Sequence, residues 1–155
     1  MIDLTSTTII AEIGSVHDGS LGNAIKAIEA VKNCGADMVK FQTHIADEES
    51  LPNAPSPTFF SEEERNAYFK RTSFNLNDWK KIADVCANVG IEFLSPPFSI
   101  KAVDLLEEVG INYYKIPSGE VTNLPLLQYI SKFKKPAFLS SGMSNWKELE
   151  VATNI

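Results

Sequence analysis

The chain has 155 residues, and 44% of them are hydrophobic, which is enough to build the core of one domain. Its formal net charge of −6 argues against nucleic acid or an anionic membrane as the main partner, because its overall field repels polyanions. Any anionic ligand must therefore be bound by cations placed close to it. No apolar run reaches the length of a membrane span, and the N-terminus lacks the basic region of a signal peptide, so we expect a cytoplasmic protein.

Apolar runs typical of strands alternate with helical patterns along the chain. The predicted strands are 7–14, 36–43, 91–95, one that starts at 112 and stops before Pro117, and 136–140. The predicted helices are 20–33, 77–89, 100–109, 124–133 and 144–154. Trp79 and Trp146 lie in two of these helices, and we expect both to be packed. A strand–helix unit repeated about five times predicts an α/β fold in which parallel strands are covered by helices.

Two parallel architectures fit this order: an open doubly wound sheet and part of a TIM (β/α)8 barrel. The open sheet usually carries a glycine-rich phosphate loop after its first strand, and this chain has none. The barrel instead gathers polar residues at the carboxyl ends of many strands, as this chain does. We therefore predict a single domain, 1–155, that holds about the first five βα units of a (β/α)8 barrel.

Five βα units cannot close an eight-stranded barrel, which takes about 250 residues. The first and fifth strands are then expected to be exposed edges flanked by apolar surface. We accordingly expect the chain to be the amino-terminal part of a longer protein and to be inactive by itself.

The segment 45–74 interrupts the alternation of strands and helices. It begins with a proline-rich stretch that carries Phe59 and Phe60, and it continues with an acidic stretch that carries Tyr68 and Phe69. Segments of this length are usually lids, binding loops or disordered stretches. Because its aromatic side chains need a surface to pack against, we expect a subunit contact or a cover over an active site.

Polar side chains stand at the carboxyl end of every predicted strand, an end of the sheet that we call the mouth. They are Glu12, Lys40, Gln42, Ser95, Lys115, Ser118, Glu120, Ser140 and Ser141. Lys40 and Gln42 share one face of their strand, and Tyr113 and Lys115 share one face of theirs. A lysine in an apolar strand is costly unless it meets a negative partner, so we predict an anion site at the mouth. The alternative for any single lysine is a rim position or an internal salt bridge.

The types of residue at the mouth indicate what such a site does. Two ammonium groups suit a phosphate or carboxylate, and serine hydroxyls add hydrogen bonds. Glu12 and Glu120 are candidates for sugar hydroxyls and for proton transfer. His17 and His44 do not have the spacing of a metal site, so we expect packing for an isolated histidine. His17, in the loop after the first strand, is the better candidate for a ligand contact.

Five segments resemble, in order, motifs of the sialic acid (N-acetylneuraminate) synthase family. They are AEIGSVHDGS, ADMVKFQTH, FLSPPF, YKIPSGEVTNLPLL and PAFLSSGMS. That family condenses phosphoenolpyruvate with an N-acylated hexosamine, such as N-acetylmannosamine, to a nine-carbon 2-keto sugar acid and phosphate. The resemblance implies a homodimer of (β/α)8 barrels that uses a divalent metal, Mn²⁺ or Mg²⁺. The family's small antifreeze-like domain is not expected within this chain.

The family's pattern also implies a role for each residue at the mouth. The side chains expected to bind phosphoenolpyruvate are Lys40, Lys115, Ser118 and Ser140. Those expected to face the sugar are Glu12 and Gln42, and the remaining candidate substrate contacts are Ser95 and His17. Lys115 and Glu120 are the expected catalytic residues, and Glu120 would move protons or activate the water that attacks C2.

Three features depart from the family's pattern. Pro97 stands where the family often has threonine, so a hydroxyl toward the phosphate is missing. Ser15 and Asp18 stand where asparagines are common, which leaves the identity of the acylated sugar open. The metal-binding histidines of the family belong to the second half of the barrel, so the metal ligands are expected outside this chain.

Three other functions stay open at this stage. A lysine-dependent aldolase also places a lysine inside a barrel, where the amine forms an imine with a carbonyl substrate. A related synthase of 3-deoxy sugar acids also uses phosphoenolpyruvate, although the YKIPSGE and SSGMS segments fit the sialic type better. From a different class, the chain could be a non-catalytic half-barrel that acts in assembly or regulation.

Overall fold

The structure, a computed structural model, describes residues 6–51, 54–55, 57 and 63–155. Its strands are β1 (Ile10–Gly14), β2 (Met38–Phe41), β3 (Glu92–Leu94), β4 (Tyr114–Ile116) and β5 (Ala137–Leu139). Its helices are α1 (Leu21–Asn33), α2 (Ala46–Glu49), α3 (Arg65–Thr72), α4 (Leu76–Val89), α5 (Ile100–Val109), α6 (Leu124–Ser131) and α7 (Trp146–Thr153), and a 3₁₀ turn covers Ser118–Glu120. The strands follow the predicted order but are shorter than predicted. Within these ranges, every helix is too short or too polar to cross a bilayer.

Every strand pairing in the described part of the chain is parallel. β1, β2 and β3 form one sheet in that order, and β4 and β5 form a second sheet. Among the described residues no backbone ladder joins β3 to β4. The side-chain amide of Asn112 crosses this junction and donates a hydrogen bond to Glu92 at 2.9 Å. The predicted α/β class with parallel strands is therefore confirmed, in two short sheets.

The two faces of the strands have different coverings. On the face that is turned toward the helices, the strand side chains that belong to the main core are Val39, Phe41, Phe93, Tyr114 and Ile116. The opposite face carries a smaller apolar cluster of Met38, Leu94 and Tyr113, with Ile10 and Phe138 packed against it. Four polar residues each follow a member of this smaller cluster by two positions and therefore lie on the same face: Glu12, Lys40, Lys115 and Ser140. The alternation of the strands thus buries one face under helices and turns these polar side chains to the other.

Side-chain caps decide where the helices begin. The residues that accept a hydrogen bond from a backbone N–H of the first turn are Ser20, Asn75, Ser99, Asn123 and Asn145. The predicted start of α4 at Asn77 is wrong, because Asn75 caps this helix by accepting from the N–H of Asp78 at 3.0 Å. α5 begins and ends as predicted.

The described part of segment 45–74 contains two helices, α2 and α3, that the sequence pattern did not predict. α3 lies against the loop after β1, where the guanidinium group of Arg71 pairs with Asp18 and with Glu63. Phe69 on the same helix is buried. Phe59 and Phe60 lie outside the described residues. This part of the segment is a folded portion of the domain, and its use as a cover or as a subunit contact stays a prediction.

The two tryptophans lie in very different environments. Trp79 is 2% exposed and packs in the main core, as predicted. Trp146 is 88% exposed, so the prediction that it packs is wrong. The N-terminus of α7 is held instead by a capping box, in which Asn145 and Glu148 exchange hydrogen bonds. Polar contacts therefore fix this end of the helix without its tryptophan.

Gly19, in the loop after β1, lies close to the backbone at the end of α3. Its φ is +77°, and a Cβ atom at this position would collide with the carbonyl oxygen of Arg71. Because backbone strain and a steric clash add, we expect Gly19→Ala to lower the free energy of unfolding by about 2–4 kcal/mol.

Gly22→Ala is the matched control for this prediction. Gly22 lies in α1, and the nearest atom to a Cβ added at this position is the Ser20 hydroxyl oxygen at 3.8 Å. Alanine favours helix, so this variant should gain up to about 1 kcal/mol. Urea denaturation of both variants measures the difference, and equal stabilities would contradict the contact described for Gly19.

Candidate active site

A cluster of charged and hydroxyl side chains lies at the mouth. Lys40 forms an ion pair with Glu12, its direct partner in the register of β1 and β2. Lys115 donates from Nζ to the hydroxyl of Ser140, just after β5, and to the carbonyl oxygen of Ile116 at 3.0 Å. The structure therefore brings together side chains from β1, β2, β4 and the end of β5.

The electrostatics of Lys115 show that the two ammonium groups act on one another. Burial lowers the pKa of Lys115, and the positive charge of Lys40 lowers it further, while the carboxylate of Glu12 opposes both effects. Lys40 and Lys115 thus face the same region of the molecule, as their positions in the sequence predicted.

Lys40 and Lys115 differ in how their charges are compensated. The side chain of Lys40 is 12% exposed and pairs with the carboxylate of Glu12, which is itself 52% exposed. In the part of the chain that the structure describes, Lys115 makes hydrogen bonds only to neutral oxygen atoms. A half-buried ammonium group with neutral partners lacks the counter-charge that would offset its desolvation. The cluster is therefore suited to an anion that binds beside Lys115.

Gly14 lies beside this cluster, close to the side chains of Glu12 and Gln42. β1 bulges between Glu12 and Gly14, where its register shifts against β2. A Cβ atom on Gly14 would lie 3.3 Å from Oε1 of Glu12 and 3.8 Å from Nε2 of Gln42. The two side chains that were predicted to face a sugar therefore both lie next to Gly14.

Ser118 and Glu120 lie in the 3₁₀ turn that follows β4. One carboxylate oxygen of Glu120 accepts a hydrogen bond from the side-chain amide of Asn123 at 2.8 Å, and Asn123 also caps α6. Glu120 lines a cavity of about 500 Å³ together with side chains from α2, α5 and α6. That volume is in the range of small-molecule sites. Glu120 is thus held in place by α6 at the wall of a cavity.

Ser95 does not lie at the surface of the mouth. It is fully buried, and its hydroxyl shares a 2.7 Å hydrogen bond with the hydroxyl of Thr43. The backbone N–H of Thr43 donates to the carbonyl oxygen of Pro96 at 3.1 Å, so this contact extends the pairing of β2 and β3. The prediction that Ser95 contacts substrate is wrong for this structure, because a buried hydroxyl has taken an internal partner.

His17 also lies inside the core. It is 2% exposed, its ring stacks on Phe74 at 4.5 Å, and its Nδ1 accepts a hydrogen bond from the N–H of Gly19 at 3.1 Å. Burial lowers the pKa of His17, and the nearby charge of Asp18 opposes this effect only in part. The prediction of a ligand contact for His17 is therefore corrected to packing, the role expected of an isolated histidine.

His44 has a more specific environment than simple packing. Its ring lies between the rings of Phe69 and Phe98, with centroids at 3.8 Å and 4.1 Å. Its Nδ1 is 2.9 Å from both carboxylate oxygens of Glu49, and its Nε2 is 3.2 Å from Oε1 of Gln42. Glu49 gives no signal in the sequence, because it ends an acidic run that resembles a solvated surface.

The described residues contain no group of three or more His, Cys, Asp and Glu side chains that could hold a metal ion. These residues do not by themselves fit the divalent metal that the sequence resemblance implies. No step of the chemistry is therefore assigned to a metal in this chain.

Residues 27–155 match the family model described as the NeuB family. This chain belongs to the NeuB family. It is 40% identical, over 98% of its length, to the N,N′-diacetyllegionaminic acid synthase of Campylobacter jejuni, and the match spans 47% of that enzyme. It is 30% identical, over 95% of its length, to the pseudaminic acid synthase of Helicobacter pylori, and the match spans 45% of that enzyme.

A solved structure of a sialic acid synthetase has a similar fold. The crystal structure of N-acetylneuraminic acid synthetase from Leptospira borgpetersenii, in complex with citrate, matches with a TM-score of 0.80 and 25% identity, covering 94% of this chain and 48% of that one. The NeuB-family chain spans less than half the length of the curated relatives named above. The resemblance to sialic acid synthases is confirmed at the level of the family.

The burial of His17 predicts how the stability of the domain depends on pH. Its folded-state pKa lies below the ordinary value of 6.5, so between these two values the unfolded chain binds the proton more readily. The free energy of unfolding should be unaffected by His17 above pH 6.5. It should fall below pH 6.5, by at most about 1.4 kcal/mol per pH unit from this group.

The variant His17→Phe isolates this contribution. The chain has only two histidines, and His44 is present in both proteins, so it cancels in the comparison. Urea unfolding at pH 7.5 and at pH 5.5 should give a larger loss of stability for the wild type than for the variant. Equal losses would mean that His17 does not titrate from a buried, neutral state.

Proposed function

We propose that this NeuB-family chain is part of a synthase that joins phosphoenolpyruvate to an N-acylated hexosamine and releases a nine-carbon 2-keto sugar acid and phosphate. The observation that carries the proposal is the pair of ammonium groups at the mouth, of which Lys115 meets only neutral oxygen atoms among the described residues. In a chain of net charge −6, such a local cluster supports a small anion of high charge. The names of the relatives, which are sugar acid synthases, support the same class of reaction.

We also propose that residues 1–155 form the first five βα units of a (β/α)8 barrel. Two observations support this: the described strand pairings are all parallel, and one face of the strands is covered by helices while the other carries the residues of the mouth. The rest of the mouth, including the ligands of Mn²⁺ or Mg²⁺, would then come from residues outside this chain. A homodimer and a cytoplasmic location belong to the same proposal.

The side chains of the mouth have the chemistry that phosphoenolpyruvate requires. Lys40 and Lys115 compensate the charges of its phosphate and carboxylate groups, and the hydroxyls of Ser118 and Ser140 donate hydrogen bonds to them. Once Lys40 turns to the ligand, the half-exposed carboxylate of Glu12 is left to accept hydrogen bonds from hydroxyls of the sugar. The ion pair between Lys40 and Glu12 thus serves the two substrates in turn.

The condensation itself needs one group near the reacting carbons that both gives and takes a proton, and we assign this role to Glu120. Carbon C3 of phosphoenolpyruvate attacks the aldehyde carbon of the sugar, and the aldehyde oxygen takes up a proton from the carboxyl group of Glu120. Water adds at C2 and returns a proton to Glu120. The C2–O bond to phosphate then breaks, and the departing phosphate takes the proton of the C2 hydroxyl, which becomes the ketone. The two lysines stabilise the negative charge on the departing phosphate.

A titration with phosphoenolpyruvate tests the anion site. We expect weak binding by the 155-residue chain, and NMR titration of the ¹⁵N-labelled protein measures affinities in this range. Removing a charged hydrogen-bond donor costs about 1.5–3 kcal/mol, so Lys40→Ala and Lys115→Ala should each weaken binding by roughly 10- to 100-fold.

Lys26→Ala is the matched control, because Lys26 is an exposed lysine on α1. This variant changes the net charge by the same amount and should bind phosphoenolpyruvate as the wild type does. A uniform weakening in all three variants would show that only the overall charge matters. Undiminished binding by both mouth variants would refute the proposed site.

A second function, a lysine-dependent aldolase, has one observation in its favour. Burial and the charge of Lys40 both lower the pKa of Lys115, which leaves more of its amine neutral, and only the neutral amine attacks a carbonyl group. Borohydride reduction in the presence of pyruvate followed by mass spectrometry distinguishes the two functions. The synthase leaves Lys115 unmodified, whereas the aldolase gives a covalent adduct on it.

A further inference from the structure

Glu49, His44 and Gln42 form a line of hydrogen bonds that runs from α2 to the mouth. The side chains of His44 and Glu49 are 8% and 3% exposed, so this contact is shielded from water. Both carboxylate oxygens of Glu49 lie 2.9 Å from Nδ1 of His44, and Nε2 on the far side of the ring lies 3.2 Å from Oε1 of Gln42. The backbone carbonyl of His44 also accepts a hydrogen bond from Ser73 at 3.0 Å.

The hydrogen-bond partners of the two ring nitrogens determine whether each nitrogen carries a proton. A carboxylate can only accept hydrogen bonds, so Nδ1 of His44 donates to Glu49. The amide oxygen of Gln42 is also an acceptor, so Nε2 donates as well. Only a doubly protonated imidazole donates from both nitrogens, and Glu49 supplies the counter-charge that this cation needs away from water.

The rings of Phe69 and Phe98 keep the imidazole in this orientation. Both phenyl rings are nearly parallel to it, at interplanar angles of 15° and 13°. A histidine held on both faces and bonded at both nitrogens cannot turn without breaking several contacts. Its direction toward Gln42 is therefore fixed by α2, α3 and the loop after β3 together.

The protonation of His44 determines which atom of the Gln42 amide is turned toward the mouth. Because Oε1 of Gln42 is engaged by His44, the amide nitrogen of Gln42 is the atom that borders Gly14, at 3.8 Å from the position of a Cβ there. A ring protonated only at Nδ1 would accept at Nε2, and the amide of Gln42 would then turn its oxygen toward Gly14 instead.

We propose that His44, held by Glu49, is a positioning residue that fixes the amide of Gln42 with its N–H₂ group toward the mouth. There Gln42 donates a hydrogen bond to an acceptor oxygen of the sugar substrate. The part of this proposal that concerns the sugar rests on the proposed function, and the part that concerns the line of hydrogen bonds does not.

The first experiment needs no substrate and no variant. Two-bond ¹H–¹⁵N correlation spectra of the ¹⁵N-labelled chain report the protonation of each ring nitrogen separately. The proposal predicts that both nitrogens of His44 are protonated at the pH at which ligand binding is measured. A ring with one unprotonated nitrogen in the wild type would overturn it.

Glu49→Gln and Glu48→Gln form a matched pair for the second experiment. Glu48 is the neighbouring carboxylate on α2, and it pairs with Lys101 rather than with a histidine. Glu49→Gln should remove one proton from the ring of His44 and shift the side-chain amide signals of Gln42, whereas Glu48→Gln should change neither. Identical His44 and Gln42 signals in the two variants would also overturn the proposal.

Binding of substrates separates this proposal from the proposed function. Glu49→Gln should weaken binding of N-acetylmannosamine by about tenfold, the effect of losing one hydrogen bond between neutral groups, and leave phosphoenolpyruvate binding unchanged. Gln42→Ala should weaken binding of the sugar by the same factor while leaving both ring nitrogens of His44 protonated.

If the wild type binds neither substrate, the proposed function fails, and the ring protonation still decides the role of His44. If it binds the sugar and neither variant weakens that binding, the positioning role is refuted.

Discussion

The site depends on two positive charges held close together at the end of parallel strands, one of which is paired with the carboxylate of Glu12. Lys40 is paired with Glu12, whereas Lys115 is half-buried against a serine hydroxyl and a backbone carbonyl. Such an arrangement costs stability in the absence of a ligand, because an ammonium group loses hydration without gaining a counter-charge. An anion bound beside Lys115 would supply that counter-charge.

The main core makes this arrangement possible. Helices α1, α4, α5 and α6 pack on one face of the strands, and this face is buried in β2, β3 and β4 and only partly covered in β1 and β5. The opposite face then needs only a small apolar cluster around Met38 and Tyr113 beneath the charged residues. Parallel strands direct every carboxyl end to the same side, which is why residues far apart in sequence meet there.

The sequence was informative where a local pattern decides the outcome, although it placed the start of α4 at Asn77 and the cap is Asn75. The alternation of strand residues correctly put Lys40 and Lys115 on a common face, and α5 begins and ends where its helical pattern predicted. The predictions failed where packing between distant segments decides. Ser95 is buried by its partner Thr43, 52 residues away, and the pairing of His44 with Glu49 depends on α2 and α3, for which the proline-rich segment gave no periodic pattern.

The missing ladder between β3 and β4 has a mechanical consequence. Lys40 belongs to the first sheet and Lys115 to the second, so among the described residues their separation is not fixed by backbone hydrogen bonds. Side chains alone, such as Asn112 and Glu92, span the junction. The like charges of Lys40 and Lys115 repel one another across this junction. A doubly charged ligand that touched both lysines would offset that repulsion and would therefore stabilise the junction between the two sheets.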